Sequence, residues 1–307
     1  ITVAIVFPAV NLIMDINKTN FIKELIINLT GLEIKDSTEI LYIFLVIFFI
    51  IIFIKAAYLI FFNWWRNSFV YSLEKLTGYN LYKRYLNYDL NQFIKLNYAS
   101  LSKNIIIDTV KVRMAVDFSL KLATETLTIL AIISILLLYQ PYPTLITLFF
   151  GILVSLIAYY SFKTKIYSLG KKELKLTDNI FKSLRDGFAS FKLIKILNNE
   201  KFFLKPFFKI ITERTNVLKY LQIIPENIKI IIELFSVLFI CLLIFGITKA
   251  DNSLKNIIPV LSLYGVALYR LLPGFIRLIQ YSHQIQSFKP AINLINNDLD
   301  LNNIDIK

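Results

Sequence analysis

The stretch ILYIFLVIFFIIIFIKAAYLIFF, from Ile40 to Phe62, is apolar on every face and is interrupted by a single charge, Lys55. It exceeds the roughly 20 residues that an α-helix needs to cross a hydrocarbon layer. Trp64 and Trp65 follow directly, and indole rings favour the level of the lipid headgroups. A helix apolar all round belongs in a large protein core or in a membrane. The composition decides between them: 56% of the 307 residues are hydrophobic, with 26 phenylalanines and 17 tyrosines, and mean hydropathy is +0.62. These residues gather into long runs instead of scattering under a charged coat, so the chain is an integral membrane protein.

Working outward, further runs of the same kind appear. Ala115 to Tyr139 is a weaker span whose first half carries Asp117, Lys121 and Glu125. A polar turn, Gln140-Pro141-Tyr142-Pro143, divides it from Thr144 to Tyr160. Ile230 to Ile247 contains Glu233, and Ile257 to Ile279 contains Pro259, Arg270, Pro273 and Arg277. Ile1 to Met14 is apolar but too short to span. No basic segment precedes it and no small-residue cleavage site follows, so it reads as the outer end of a first helix that begins upstream. The count is six.

The formal charge of +13 raises the question of nucleic acid. The basic residues, however, lie between the apolar runs, in the long connections 63–114 and 161–229, where positive-inside topology puts them. Both long connections and the C-terminal tail are therefore expected in the cytoplasm, and the short connections 15–39, 140–143 and 248–256 outside; no nucleic-acid partner is expected. Cys241 is the single cysteine and His283 the single histidine. Together they exclude an internal disulfide, an ordinary zinc site and, with no hydroxyl–acid arrangement beside His283, a histidine-based catalytic triad. No catalytic residue is expected in this chain.

The long connections keep helical spacing of apolar residues: Leu73, Leu76, Leu81 and Tyr85 in one, Ile180, Leu184, Phe188, Phe191 and Ile194 in the other. Two readings fit, independent helical hairpins or spans that continue past the membrane and meet through a short turn-helix. The second is favoured because no glycine or proline punctuates the membrane boundary. In the outer connection, Phe21, Ile22, Leu25, Ile26 and Leu29 share one helix face opposite Lys23 and Glu24, a segment fit to lie on the outer leaflet or to pack on the bundle.

Tyr85-Leu86-Asn87-Tyr88-Asp89-Leu90-Asn91-Gln92-Phe93 and Phe191-Lys192-Leu193-Ile194-Lys195, followed by Glu200, resemble the two intracellular loops of type I ABC exporters. Val266-Ala267-Leu268-Tyr269-Arg270-Leu271-Leu272-Pro273, followed by Arg277, resembles helix six of one branch of that family, the branch containing the lipid-linked oligosaccharide flippase of bacterial N-glycosylation. Ile5-Val6-Phe7-Pro8 looks like the same branch. The resemblance covers nearly the whole chain and implies an all-α, six-transmembrane-helix exporter fold with long cytoplasmic extensions, residues 1–307 forming one transmembrane domain. It implies that Tyr88, Asp89, Leu90, Phe93, Phe188, Phe191 and Lys192 seat on an ATPase domain. It also implies a homodimer with helices exchanged between partners, in a bacterial inner membrane. The phosphate-binding pattern G-x-x-x-x-G-K-[ST] does not occur; Gly170-Lys171-Lys172 lacks its first glycine and its hydroxyl residue. ATP and Mg2+ are thus expected on an ATPase domain following residue 307.

A charge at membrane depth costs about 2.5–3.5 kcal/mol on insertion scales and marks a functional candidate. Arg270 and Arg277, seven apart, share a helix face and suit an anionic headgroup, because guanidinium binds phosphate bidentately. The structural alternatives are pairing of Arg270 with Glu233 or Asp117, and snorkelling of Arg277 to the interface. Arg66 and Lys55 are further candidates of the same kind. Pro259 and Pro273 are expected to bend their helix, as prolines remove intrahelical hydrogen bonds. The cargo expected on these grounds is an amphipathic lipid-linked saccharide; the alternatives are an exporter of peptide, drug or another lipid, and a membrane scaffold or sensor.

Overall fold

The computed structural model describes residues 37–91, 97–139, 141–250 and 254–300. The first apolar run, the amphipathic segment around Phe21–Leu29 and Phe93 lie outside them. Every element among the described residues is helical: α1 (Ser37–Leu86), α2 (Tyr98–Lys103), a π-turn (Asn104–Asp108), α3 (Thr109–Tyr139), α4 (Pro141–Ala189), α5 (Phe191–Leu197), α6 (Glu200–Ala250) and α7 (Leu254–Asp300). Two stretches, Phe49–Leu86 and Tyr98–Leu137, are long and apolar enough to cross a membrane.

Helix length separates the two readings of the long connections. The 50 residues of α1 and the 51 of α6 each make a rod of about 75 Å, against about 30 Å of hydrocarbon. Residues 161–189 continue α4 without a break, and 200–229 begin α6. Between them stands only the seven-residue α5. It ends at Asn198, whose φ of 50° is left-handed, a conformation asparagine tolerates better than most residues. The spans therefore extend as single helices joined by a short turn-helix. At the other end, the expected turn at 140–143 is mostly helix, because α4 starts at Pro141. Prolines in a first turn give up N–H groups that have no intrahelical partner there. The helix of Pro259 and Pro273 likewise runs unbroken from Leu254 to Asp300.

Helix α7 is the axis of the bundle, packing against α3, α4 and α6 along its length and touching α1. Three apolar clusters follow one another along it. The first joins Ile129, Ile132, Ile133 and Leu136 of α3 to Leu271. The second joins Ile166 of α4 and Ile224, Ile228 and Ile232 of α6 to Ile276 and Ile279. The third joins Leu81 and Tyr85 at the end of α1 to Ile295. We call the end containing this third cluster the foot. Inside lipid, burial of side chains against one another gains little over contact with acyl chains, so close packing must hold the helices. Beyond the lipid, each buried leucine or isoleucine contributes about 1.5–3 kcal/mol.

Among the described glycines, the tightest helix approach lies where α4 crosses α7. A Cβ added at Gly170 would collide with the Ser287 backbone oxygen, so glycine is required there. One turn along α7, His283 is buried and stacks on Tyr159 of α4, ring centroids 6.1 Å apart. By contrast, nothing lies within 4 Å of a Cβ at Gly78 in α1. Gly170→Ala should therefore lower stability by about 1–3 kcal/mol, whereas Gly78→Ala should raise it by about 0.5–1 kcal/mol. Thermal unfolding of the two variants in detergent checks both signs.

Candidate functional site

Two polar constellations stand out against this apolar bundle. The first is a charged stripe on α3, where Asp117, Lys121 and Glu125 recur at four-residue spacing and so share one face. Lys121 Nζ lies 2.7 Å from Asp117 Oδ2, and Arg66 Nε of α1 lies 3.4 Å from Asp117 Oδ1. At the other end of the stripe, Arg277 Nη2 of α7 donates to Glu125 Oε1 at 2.7 Å. Room for this contact comes from Gly274, one turn before Arg277, where a Cβ would approach Glu125 Oε1 to 3.1 Å. Three cations, Arg66, Lys121 and Arg277, face two carboxylates, so the stripe carries one excess positive charge. The Arg277 side chain is 40% exposed and Arg66 15%, so Arg277 is the cation most open to a ligand.

Among the sequence candidates, Arg66 and Arg277 are thus brought to one stripe, each held by a carboxylate. Lys55 lies three turns before Arg66 on α1, about 16 Å away along the axis, and is remote from the stripe. The side chain of Arg270 lies outside the described residues. Of the partners considered for it, Asp117 is engaged by Arg66 and Lys121, and Glu233 lies 3.7 Å from Lys229. Beside these helices, an apolar recess is lined by Ile133, Leu136, Thr144, Leu148, Leu271 and Phe275.

The second constellation fills the foot, around the π-turn. Lys103, only 2% exposed, places Nζ 3.0 Å from Asp108 Oδ2 and 3.7 Å from Asp178 Oδ1 of α4. Lys111 Nζ is 3.5 Å from Asp108 Oδ1 and donates to Glu173 Oε2 of α4 at 2.6 Å. Glu173 also accepts from Thr177 at 2.8 Å and from Arg214 of α6 at 3.4 Å. Burial pushes the Glu173 carboxyl up, but Lys111, Thr177 and Arg214 together outweigh it and hold the group below its ordinary value. On the opposite side of the turn, Asn104 donates to Tyr85 Oη at 3.2 Å and to Asp298 Oδ2 at 3.1 Å, and Tyr85 donates to the same carboxylate. The foot thus joins α1, α3, α4, α6 and α7 by charge and hydrogen bond. Removing one partner of a buried pair typically costs about 3–5 kcal/mol.

In the sequence, Lys103 and Lys111 read only as part of the positive charge of a connection, a solvated role. The available signal was the presence of acids, Asp108, Glu173 and Asp178, inside otherwise basic, apolar-patterned segments.

Beyond the foot lie the expected coupling residues. Leu90 is 74% exposed, Asp89 is exposed and Tyr88 half-buried. In the second connection Phe188 is 74% and Phe191 60% exposed, and Lys192 is exposed. Helix α5 buries none of its residues although Phe191, Leu193, Ile196 and Leu197 are apolar. These side chains leave an uncovered apolar patch at this tip among the described residues.

The chain matches the family model described as the ABC transporter transmembrane region over residues 1–271.

The depressed Glu173 pKa fixes a sign. Its contribution to stability is complete above the unfolded value of about 4.3 and disappears as pH falls through the lower folded value. The parent should therefore lose more of its thermal midpoint between about pH 5 and pH 3 than Glu173→Gln does. Unfolding scans across that range check this; equal losses would remove Glu173 from the acid sensitivity of the foot.

Proposed function

This chain belongs to the family of ABC transporter transmembrane regions, and on that premise we propose that it carries an anionic, lipid-linked saccharide across a bacterial inner membrane. As an exporter permease it lies in the lipid bilayer and works with nucleotide-binding domains, where ATP and Mg2+ are held. In this reading two copies pair, each joined to its own ATPase domain in the same polypeptide. The tips at Tyr88–Leu90 and Phe188–Lys192 seat on those domains through Leu90, Phe188 and Phe191, and the long connections face the cytoplasm.

The observation that carries the cargo class is the stripe of Arg66, Asp117, Lys121, Glu125 and Arg277 with its excess positive charge. Glu125 occupies Arg277 as a carboxylate stand-in for a more highly charged anion. A pyrophosphate group offers oxygens in the fork geometry that guanidinium matches, and charge-assisted bonds of this type are about twice as strong as neutral ones. Cargo entering the bundle would take Glu125's place on Arg277, and its lipid chains would lie along the exposed apolar faces of the helices. Because the excess charge is small, binding is weak enough to be reversed on the far side.

Substrate-stimulated ATP hydrolysis by the whole transporter in lipid tests this. A pyrophosphate-linked polyprenyl saccharide should stimulate turnover, and Arg277→Ala should reduce that stimulation about tenfold, with Arg277→Lys intermediate. Basal hydrolysis should survive both changes. Stimulation by a peptide, drug or neutral lipid, with no response to the pyrophosphate lipid, would overturn the cargo assignment in favour of another exported substrate.

A further inference from the structure

The π-turn at Asn104–Asp108 is the one place in the α2–α3 rod where the hydrogen-bond register changes. The Thr109 N–H donates to the Asn104 oxygen, five residues back instead of four. Such a turn holds one residue more than an α-turn and is frequent at functional sites. Its consequence for charge is specific. Positions five apart in an α-helix point about 140° from each other, and a Lys–Asp pair at that spacing does not meet. Here Lys103 and Asp108 meet at 3.0 Å, with both side chains essentially inaccessible to solvent. Their contact exists because the turn is π.

Each member of that pair has a second partner that does not depend on the π register. Lys103 lies 3.7 Å from Asp178 on α4, and Asp108 lies 3.5 Å from Lys111, one turn along in the regular α-helix. Asp178 itself faces Lys182 and Ser100, and Lys111 faces Glu173. A buried charge left alone would forbid the turn from changing register. With this arrangement, no charge is left alone in either register. The turn is also gripped on both sides, by Tyr85 and Asp298 through Asn104 and by α4 through Lys103. The extra residue therefore sets the rotation of α2 relative to α3, and so relates the foot to the stripe of Asp117, Lys121 and Glu125.

We propose that Asn104–Asp108 is a register switch that couples the foot to the charged stripe, with Lys103, Asp108 and Asp178 as its positioning residues. In one state Lys103 pairs within the turn to Asp108. In the other the turn relaxes towards α geometry, Lys103 transfers to Asp178, Asp108 stays with Lys111, and α2 turns about its axis relative to α3. The switch rests on the reading of the chain as an ATP-driven permease, but not on the identity of its cargo.

The test uses the full transporter in lipid with its ATPase domains. Hydrogen exchange is measured at residues 104–108 without nucleotide and with ATP, alongside ATP turnover. Two variants bracket the switch. Deletion of Ile106, a 66% exposed side chain, removes the extra residue and fixes α register. Asp178→Asn removes the alternative partner while leaving the Lys103–Asp108 pair intact. The parent should change its exchange at this turn on adding ATP, and both variants should lose that change. Both should turn over ATP about tenfold more slowly while keeping their helicity, and Asp178→Glu should restore turnover. Exchange at 104–108 that ignores nucleotide in the parent, or parental turnover in Asp178→Asn, overturns the proposal. A transporter that hydrolyses ATP but ignores the pyrophosphate lipid overturns the cargo reading and leaves this result standing.

Discussion

A helix about 75 Å long in a membrane about 30 Å thick must be held by different forces along its length, and this constraint organises the whole molecule. Within the apolar levels, α3, α4, α6 and α7 meet through isoleucine and leucine clusters and through close approaches at glycine. There the hydrophobic effect offers no preference for helix over lipid, so packing and small residues decide. In the foot the situation reverses. Apolar burial at Leu81, Tyr85 and Ile295 is favourable but small in extent, and the long-range order comes from charge: Lys103, Lys111 and Arg214 against Asp108, Glu173 and Asp178.

The charged stripe lies between these regimes. Asp117 and Lys121 continue α3 upward from the foot, Glu125 is next, and from Ile129 the same helix joins an isoleucine-rich cluster. Arg66 and Arg277 reach it from α1 and α7, so one stripe on one helix touches two of the helices it packs against. A movement of the foot carried by the rigid rods arrives at this stripe before it reaches the purely apolar levels. That ordering is the physical basis for reading the stripe and the foot as parts of one device.

Much of this was legible in the residues. The run Ile40–Phe62 fixed the class, and the helical spacing of Ile180, Leu184, Phe188, Phe191 and Ile194 foretold extensions instead of separate hairpins. Arg66 and Arg277 were singled out because charge is costly at membrane depth. Their carboxylate partners were not paired with them, since Arg277 and Glu125 are far apart in the chain and only the α3–α7 crossing brings them together. The foot was hidden for a related reason. Lys103 looks like any lysine of a basic loop, and its burial depends on Asp178 and on a π-turn that has no residue signature of its own. Residues 141–143 are helix and not turn, because prolines mark both loops and first turns of helices.

The central claim is that a movement of the foot is transmitted to the stripe. Spin labels at Phe69 on α1 and Gln280 on α7, each one turn beyond a stripe arginine, would report the width of the stripe in the full transporter. Pulsed dipolar distances with and without ATP should shift, because closure at the remote ATPase domains reaches Arg66 and Arg277 through the foot. An identical distance distribution in both conditions, in a transporter that hydrolyses ATP, would contradict the account.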